Sequence, residues 1–278
     1  MEGYALSSLW HGLLGASLLM GVLYLRQRQT RDATPVDMGW AMGIGLVAVY
    51  VTWQGTGDPQ RRLLVGTLAA LWALRLTWHL HARRGPTEDG RYAMLRQQWG
   101  HRAQRNFLLL YAAQALLIAF FSLPALLAAA NPNPLSLFDG LGVGIWILAV
   151  AGESVADAQL ERFRRDPAHA GQTCSQGLWN YSRHPNYFFE WLHWFSYIPW
   201  AAPYGWGWLA LIAPATMFYL LHSVTGIPYA EKRALLSRGE AYRAYQQRTR
   251  AFFPIPRIGR QPREPQTSKE SLAKEAML

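Results

Sequence analysis

The sequence predicts an all-α, polytopic membrane protein with about seven transmembrane helices. Only 16% of its 278 residues are charged and 51% are hydrophobic, whereas a soluble domain has about 25% charged residues. The polar residues are also segregated, because they are bunched at 26–37, at 82–105, at 158–183 and after residue 230. About 20 apolar residues in a helix cross the hydrocarbon core, so the stretches between these bunches predict membrane spans.

Apolar stretches supply the predicted helices in order. All but two are free of charged side chains; 63–82 is interrupted by Arg75, and 140–158 carries two acids near its end. The last stretch is about twice the length of one span and is broken by Pro199, Pro203 and Gly205, which predicts a helical hairpin. The stretches are 5–25, 38–57, 63–82, 106–138, 140–158 and 191–230.

The basic residues predict the orientation. With the amino terminus outside, 24 of the 27 Lys and Arg residues fall in inner segments, and only Arg61 and Arg62 fall in an outer loop. Cytoplasmic loops of membrane proteins carry this excess, so we expect a cytoplasmic carboxyl terminus. Residues 1–256 then form one transmembrane domain. Residues 257–278, rich in Gln, Arg, Glu, Ser and Lys, predict a disordered cytoplasmic tail.

Other features exclude several functional classes. A net charge of +10 suits nucleic acid, but the apolar spans between the basic clusters argue against that partner. The single cysteine, Cys174, excludes an intrachain disulfide and a zinc site built from several cysteines. His79 and His81 diverge on a helix and no HExxH occurs, so no metal site is predicted.

Two further patterns predict packing and membrane position. The glycines of GWAMGIG at 39–45 follow no strand, so they predict a close helix-packing face rather than a dinucleotide loop. Four tryptophans of the last apolar stretch predict an interfacial belt, since indoles favour the membrane–water boundary. They are Trp194, Trp200, Trp206 and Trp208.

Four charged residues lie inside or beside predicted spans. Charged groups in a membrane are costly and usually face a cavity or a partner, so Arg75, Glu153, Asp157 and Glu190 are candidate functional residues. Glu153 and Asp157 are four residues apart and share one helix face. The alternative is a structural ion pair between Arg75 and one of the acids.

The densest polar cluster is GLWNYSRHPNYFFE at 177–190. Pro185 can begin the next helix, which places Arg183, His184 and Asn186 at a helix amino terminus. Backbone N–H groups and the helix dipole favour an anion there, such as a phosphate-bearing cofactor. The run ERFRRD at 161–166 could add phosphate contacts, although ordinary positive-inside charge explains it equally well.

The stretch GLWNYSRHPNYFFEW, together with AEKRALLSRGEAYRAYQQRTRAFFPIP near the carboxyl terminus, resembles the membrane-bound steroid 5α-reductase family, especially its bacterial branch. LWALRLTWHLHARRGPTEDGRY at 71–92 and VDMGWAMG at 36–43 extend the resemblance. It implies a seven-helix enzyme of the bacterial inner membrane that uses NADPH to reduce the double bond of a 3-oxo-4-ene steroid or similar apolar enone entering from the bilayer. The candidate cofactor-binding residues are Arg75, His79, Asp157, Arg164, Arg183, His184, Asn186, Tyr187, Glu190 and Tyr229.

The residues that would polarise the substrate carbonyl depart from the pattern of the animal enzymes. Trp72 stands where the resemblance places a catalytic tyrosine, and Trp53-Gln54 stands where it places a Gln-Glu pair. Gln54 can donate a hydrogen bond to a ketone but cannot readily give up a proton. We therefore predict Gln54 and Tyr50 as the catalytic residues, and Trp53 and Trp72 as substrate contacts. The alternative for Tyr50 is a lipid-facing or interfacial tyrosine.

A second family shares part of the pattern. Membrane methyltransferases for isoprenylcysteine or phospholipid amines, which use S-adenosylmethionine, resemble this sequence in the RHP-x-Y element and in Gly239, Tyr242 and Tyr245. A glycine usually follows their RHPxY and two adjacent glutamates precede their final helix. Here Phe188 follows, and Glu231 stands alone before a lysine. The reductase is therefore the favoured prediction, and a lipid-binding protein without activity is a third alternative.

Overall fold

The computed structural model describes residues 2–256, with side chains from Leu6 onward. The predicted tail, 257–278, lies outside the described residues. Within them, all regular secondary structure is helical apart from one isolated bridge between Ser182 and Arg250. The prediction of an all-α protein is confirmed. The α-helices are α1 (Glu2–Thr30), α2 (Pro35–Gln54), α3 (Pro59–Ala82), α4 (Gly90–Trp99), α5 (Ala103–Phe121), α6 (Leu123–Ala129), α7 (Leu137–Arg165), α8 (Pro185–His193), α9 (Tyr197–Ala201), α10 (Ile212–Tyr219) and α11 (Ile227–Arg248).

Six helical segments of the described chain are long and apolar enough to cross a membrane, so the protein is a multi-pass membrane protein. Five of them match the predicted spans up to α7, and the sixth, Gly207–Arg248, contains the second arm of the predicted hairpin. The first arm consists of α8 and α9, which a 3-10 turn at Trp194–Ser196 separates. This break is why the sixth predicted helix, the first arm of the hairpin, is not continuous.

Local signals begin several helices. The carboxylate of Asp58 accepts a hydrogen bond from the backbone N–H of Arg61 at 2.9 Å, and Pro59 occupies the first turn of α3. Asp89 caps α4 in the same way by accepting from the backbone N–H of Arg91 at 2.8 Å. These side chains satisfy donors that a helix start leaves unpaired.

Helix α4 was not predicted, since its sequence is polar and its apolar residues do not recur with a clear helical spacing. Polar contacts with residues outside the helix hold it in place. The Tyr92 hydroxyl donates to Asp37 at 2.7 Å, Arg91 forms an ion pair with the same carboxylate, and Arg96 pairs with Glu88 at 2.7 Å. Tertiary contacts thus order a segment that its local sequence leaves ambiguous.

Contacts within the described chain divide it into two compact units. Unit 1 comprises the chain up to Ala151 together with Phe189–Ser223, and unit 2 comprises Gly152–Phe188 together with the chain from Val224. Within unit 1, α2 packs against α1, α3 and α5. A Cβ added at Gly45 would lie 2.3 Å from the Cβ of Ala73, a steric overlap. The predicted helix-packing face of the 39–45 glycines is therefore confirmed.

Arg61 and Asp139 form a buried ion pair in unit 1. All five guanidinium N–H groups of Arg61 have acceptors: its Nε and one terminal nitrogen donate to the Asp139 carboxylate at 2.7 and 2.9 Å, and the remaining donors reach the carbonyl oxygens of Asn131, Asn133 and Pro134. The Arg61 residue is 1% exposed. A bidentate arginine therefore joins the start of α3 to the start of α7.

Unit 2 contains the end of α7, the segment leading to α8, and α11. Phe163, Cys174 and Trp179 form one small core with Leu160 packed against it. The indole N–H of Trp179 donates to the carbonyl oxygen of Ala156 at 2.9 Å. A second core is formed by Ala234, Tyr242 and Tyr245 with Leu235. The Tyr245 hydroxyl of the second core donates to the carbonyl oxygens of Trp179 and Ser182, which connects this core to the polar segment at 180–187.

Candidate functional site

The polar group at the start of α8 lies in unit 2. Pro185 begins this helix, as the sequence predicts. The amide nitrogen of Asn186 donates to the carboxylate Oδ1 of Asp157 at 3.2 Å, and the amide oxygen of Asn186 accepts from the backbone N–H of Tyr187 at 3.0 Å. The residue Asp157 is 6% exposed. The structure thus brings together two predicted cofactor residues that lie 29 positions apart.

Arg183 is hydrogen-bonded to other residues of unit 2. Its Nε donates to Oε1 of Glu231 at 2.7 Å, and one terminal nitrogen donates to the carbonyl oxygens of Gln246, at 3.1 Å, and Thr249. Its backbone N–H also donates to the carbonyl oxygen of Arg250 at 2.8 Å. Arg183 therefore anchors the carboxyl end of α11 to the segment before α8. This geometry favours a structural role over the predicted phosphate contact.

His184 lies beside the same carboxylate. Its Nε2 is 3.3 Å from Oε1 of Glu231, and its ring stacks on Tyr187 with centroids 5.3 Å apart. Burial lowers the pKa of the His184 imidazole below its ordinary value, and the hydrogen bond with Glu231 opposes this shift only in part. The neutral ring therefore donates its Nε2 hydrogen to Glu231, which accepts from Arg183 as well.

The end of α7 carries exposed arginines in unit 2. Arg165 pairs with Glu161 at 2.7 Å, one turn earlier on the same helix face. Arg164 is also exposed on this last turn, and Tyr229 lies half-buried in the first turn of α11. Exposed guanidinium groups can bind phosphate. The Asn186 amide and the Asp157 carboxylate can form hydrogen bonds with an amide or hydroxyl group. Together with the exposed arginines, these side chains of unit 2 fit a nicotinamide dinucleotide phosphate.

Glu190 is held by two indoles within unit 1. The Nε1 of Trp72 donates to its Oε2 at 3.0 Å, and the Nε1 of Trp194 donates to its Oε1 at 3.2 Å. Both indoles are 0% exposed. Trp72, predicted to contact substrate, is therefore in direct contact with a predicted cofactor residue. Arg75 and His79 lie half-buried further along α3, four residues apart on one helix face.

The interfacial-belt prediction is wrong for two of its four tryptophans. Trp194 and Trp200 are fully buried, whereas Trp206 and Trp208 are 68% and 54% exposed. The indole N–H of Trp200 donates to the carbonyl oxygen of Asp139 at 3.1 Å. The spacing of Trp194, one turn after the intramembrane Glu190, is the sequence signal that could have indicated its burial.

The predicted catalytic residues lie together at one end of α2. The Gln54 amide donates to the Tyr50 hydroxyl at 3.4 Å, and Nδ1 of His11 lies 2.9 Å from the same hydroxyl. Trp53 beside them is 72% exposed. Gly45 of α2 lies against Ala73 of α3, and Thr52 lies against Gly66, so Trp72 is level with position 46 of α2. At 1.5 Å per residue, Tyr50 and Gln54 therefore lie about 6 and about 12 Å further along α2 than the buried tryptophan.

A surface groove of about 610 Å³ runs along the outer face of α7 and is lined by apolar residues and glycine from Leu137 to Leu148. None of the predicted site residues lines this groove. Its lining offers no polar side chain that could orient a reacting group. We therefore assign no catalytic role to it.

Comparison with known proteins places the chain in a family. Residues 23–249 match the family model described as "Protein of unknown function (DUF1295)". The chain belongs to this family. It is also similar to an uncharacterized protein of Schizosaccharomyces pombe, with 25% identity over 280 aligned residues that cover 87% of this chain and 78% of the yeast protein. No solved structure matches it.

The residues that match the DUF1295 family model include two hydrogen-bonded pairs described above. The Asp157–Asn186 pair of unit 2 and the Trp72–Glu190 pair of unit 1 lie within 23–249. The predicted catalytic residues Tyr50 and Gln54 lie within it as well, whereas their neighbour His11 precedes it.

Proposed function

We propose that the protein is an NADPH-dependent reductase that saturates the carbon–carbon double bond of a 3-oxo-4-ene steroid or a similar apolar enone. The Asp157–Asn186 pair at the start of α8 carries the proposal, because it joins two residues that the steroid 5α-reductase resemblance assigns to the cofactor. Membership of a family that includes steroid 5α-reductase-like membrane proteins supports it further.

NADPH would supply a hydride, and the protein would supply binding and orientation. In unit 2, Asn186 would pair its amide with a polar group of the nicotinamide half, and Asp157 would orient that amide through the 3.2 Å hydrogen bond. Arg164 would bind phosphate from the last turn of α7. Among the other predicted cofactor residues, Tyr187 and His184 stack on each other and support this segment.

In the proposed reaction, a donor to the substrate carbonyl stabilises negative charge that develops on its oxygen. The sequence assigns this role to Gln54 or Tyr50, an assignment that stays a prediction. An apolar substrate would enter from the bilayer, where 3-oxo-4-ene steroids partition. We also propose a bacterial inner membrane location with the amino terminus outside, which a carboxyl-terminal fluorescent reporter that matures only in the cytoplasm would test.

The decisive experiment measures NADPH oxidation by detergent-purified protein with and without testosterone, followed by mass spectrometry of the steroid. The reductase predicts an NADPH-dependent product two mass units heavier. Asn186→Leu should abolish turnover and raise the Kd of NADPH, whereas Asn180→Leu, a change at an exposed position nearby, should leave both unchanged.

Two results would contradict the proposal. One is full NADPH-dependent activity in a folded Asn186→Leu protein, which would remove the cofactor assignment. The other is no turnover together with saturable binding of S-adenosylmethionine, which would favour the methyltransferase and reassign the 183–190 cluster to that cofactor.

A further inference from the structure

His193 is a buried polar residue that neither the sequence analysis nor the proposed function uses. It is 1% exposed in unit 1, and neither ring nitrogen has a hydrogen-bond partner among the described residues. A neutral imidazole always presents one N–H donor and one acceptor nitrogen. Leaving a buried donor unsatisfied destabilises a fold, so such a group calls for a functional explanation.

The His193 ring has a fixed orientation. It stacks parallel on Trp72, with centroids 4.8 Å apart and planes 5° apart, and the rings of Trp194 and Tyr197 meet it edge-on at 5.1 and 5.6 Å. Aromatic neighbours on several sides restrict its rotation. Its N–H is therefore held in one direction rather than averaged over rotamers, as a pre-organised hydrogen-bond donor requires.

A second donor without a partner borders the same indole. The ring of Trp40 meets Trp72 edge-on at 6.5 Å, and the buried Nε1 of Trp40 has no hydrogen-bond partner among the described residues. Two donors beside Trp72 thus lack an acceptor. The nearby carboxylate of Glu190 already accepts from Trp72 and Trp194. A ligand that brings an acceptor oxygen would supply the hydrogen-bond partner that the donors of His193 and Trp40 lack.

We propose that His193 donates a hydrogen bond to the carbonyl oxygen of the apolar enone. This inference rests on the proposed function and replaces Gln54 and Tyr50 as the donor. Those two residues lie toward the end of α2, about 6 and about 12 Å along the helix from the level of Trp72. His193 instead lies directly against Trp72, the predicted substrate contact.

In the proposed reaction, the His193 ring keeps its proton. Hydride from NADPH adds to the β-carbon of the enone, and the electron pair of the double bond moves to place negative charge on the carbonyl oxygen. His193 stabilises that oxygen through its N–H. A proton from water adds at the α-carbon and restores the ketone, so the substrate gains two hydrogens and the cofactor leaves oxidised.

A binding experiment without cofactor tests this role. Equilibrium dialysis would compare testosterone with its 3-deoxy analogue, which has no 3-oxo group, against the detergent-purified full chain. The wild-type protein should bind the ketone about tenfold more tightly. His193→Phe keeps the stacked ring but has no donor, so it should bind both steroids with equal Kd. His193→Gln, which keeps an N–H donor, should recover part of the preference.

Two outcomes with the Phe variant overturn the inference. A His193→Phe protein that still prefers the ketone would place the donor elsewhere, and one that loses affinity for both steroids equally would make His193 a packing residue. If the Phe variant does not fold, His193→Gln against His193→Met repeats the comparison with flexible side chains that do and do not donate. A wild-type protein that binds neither steroid removes the proposed substrate class, whereas ketone preference without NADPH oxidation removes the reductase and keeps His193 as a binding residue.

Discussion

The indole nitrogen of Trp72 lies 3.0 Å from Oε2 of Glu190, so a neutral donor from α3 holds a buried carboxylate of α8. Trp194 donates to the other oxygen of the same group at 3.2 Å. A buried carboxylate is costly unless its oxygens accept hydrogen bonds. The two indoles therefore hold the Glu190 carboxylate within the packed interior of unit 1.

Replacement of Trp72 by Phe should destabilise the protein. The variant keeps most of the ring stack on His193 but removes one indole donor to Glu190. Hydrogen bonds to charged groups contribute about 2 kcal/mol, so a loss of that size is expected. Thermal unfolding in detergent measures it, with Trp78→Phe, at a 71% exposed position, as the control. Equal shifts in the two variants would show that the indole N–H of Trp72 contributes nothing specific.

Arg61→Lys should destabilise the protein by about 3 kcal/mol, because a lysine ammonium cannot reproduce the five hydrogen bonds of the buried guanidinium. Arg62→Lys is the matched control, since the partners of Arg62 among the described residues are the carbonyl oxygens of Thr52 and Trp53. Chemical or thermal unfolding of both variants in one detergent compares them. Wild-type stability in Arg61→Lys would mean that the Asp139 pair is dispensable.

Stability should fall as the pH drops below about 6.5. The pKa of His184 in the folded protein lies below its ordinary value because the ring is buried, so the unfolded chain binds a proton that the folded chain does not. The unfolded state therefore gains stability on acidification, by at most about 1.4 kcal/mol per pH unit. Unfolding midpoints between pH 7.5 and 5 measure this slope.

His184→Gln should flatten that slope, since glutamine can still donate to Glu231 but does not titrate. The two proteins differ only at this side chain, so the difference between the two slopes measures the contribution of the histidine. An identical slope in the variant would assign the pH dependence to other groups.

Arg164→Gln should weaken NADPH binding about tenfold and NADH binding less. The reason is that loss of one phosphate contact should lower mainly the affinity for NADPH, which carries one more phosphate than NADH. Arg165→Gln is the control, since it removes the same charge from the adjacent position on the last turn of α7. Isothermal titration with both nucleotides measures the two Kd values. An equal loss in both variants would indicate only a general effect of basic charge.

His193→Phe should lower kcat for enone reduction about 100-fold, the scale expected when one donor to a developing oxyanion is removed. Tyr50→Phe and Gln54→Leu test the assignment made from the sequence. Steady-state kinetics with testosterone would compare the three. A larger fall in either of the last two variants would return the donor role to the Tyr50–Gln54 pair.

The order of residues was enough to predict the all-α class, the spans up to α7 and the start of α8 at Pro185. The physical reason is local. A helix in hydrocarbon must satisfy its own backbone groups, so length and the absence of charge suffice to indicate a span. A proline likewise acts on its own turn. The candidate cofactor segment could therefore be found from a single run of residues.

The partners of the polar side chains, by contrast, depend on the three-dimensional fold. Trp72 and Glu190 are 118 positions apart, and no periodic pattern links them. An indole suits both a membrane interface and a buried hydrogen bond, so residue type alone does not separate the buried Trp194 from the exposed Trp206. The sequence assigned Arg183 to a phosphate-bearing cofactor, and the fold brought the carboxylate of Glu231 to it. Long-range packing, rather than local composition, selects among such partners.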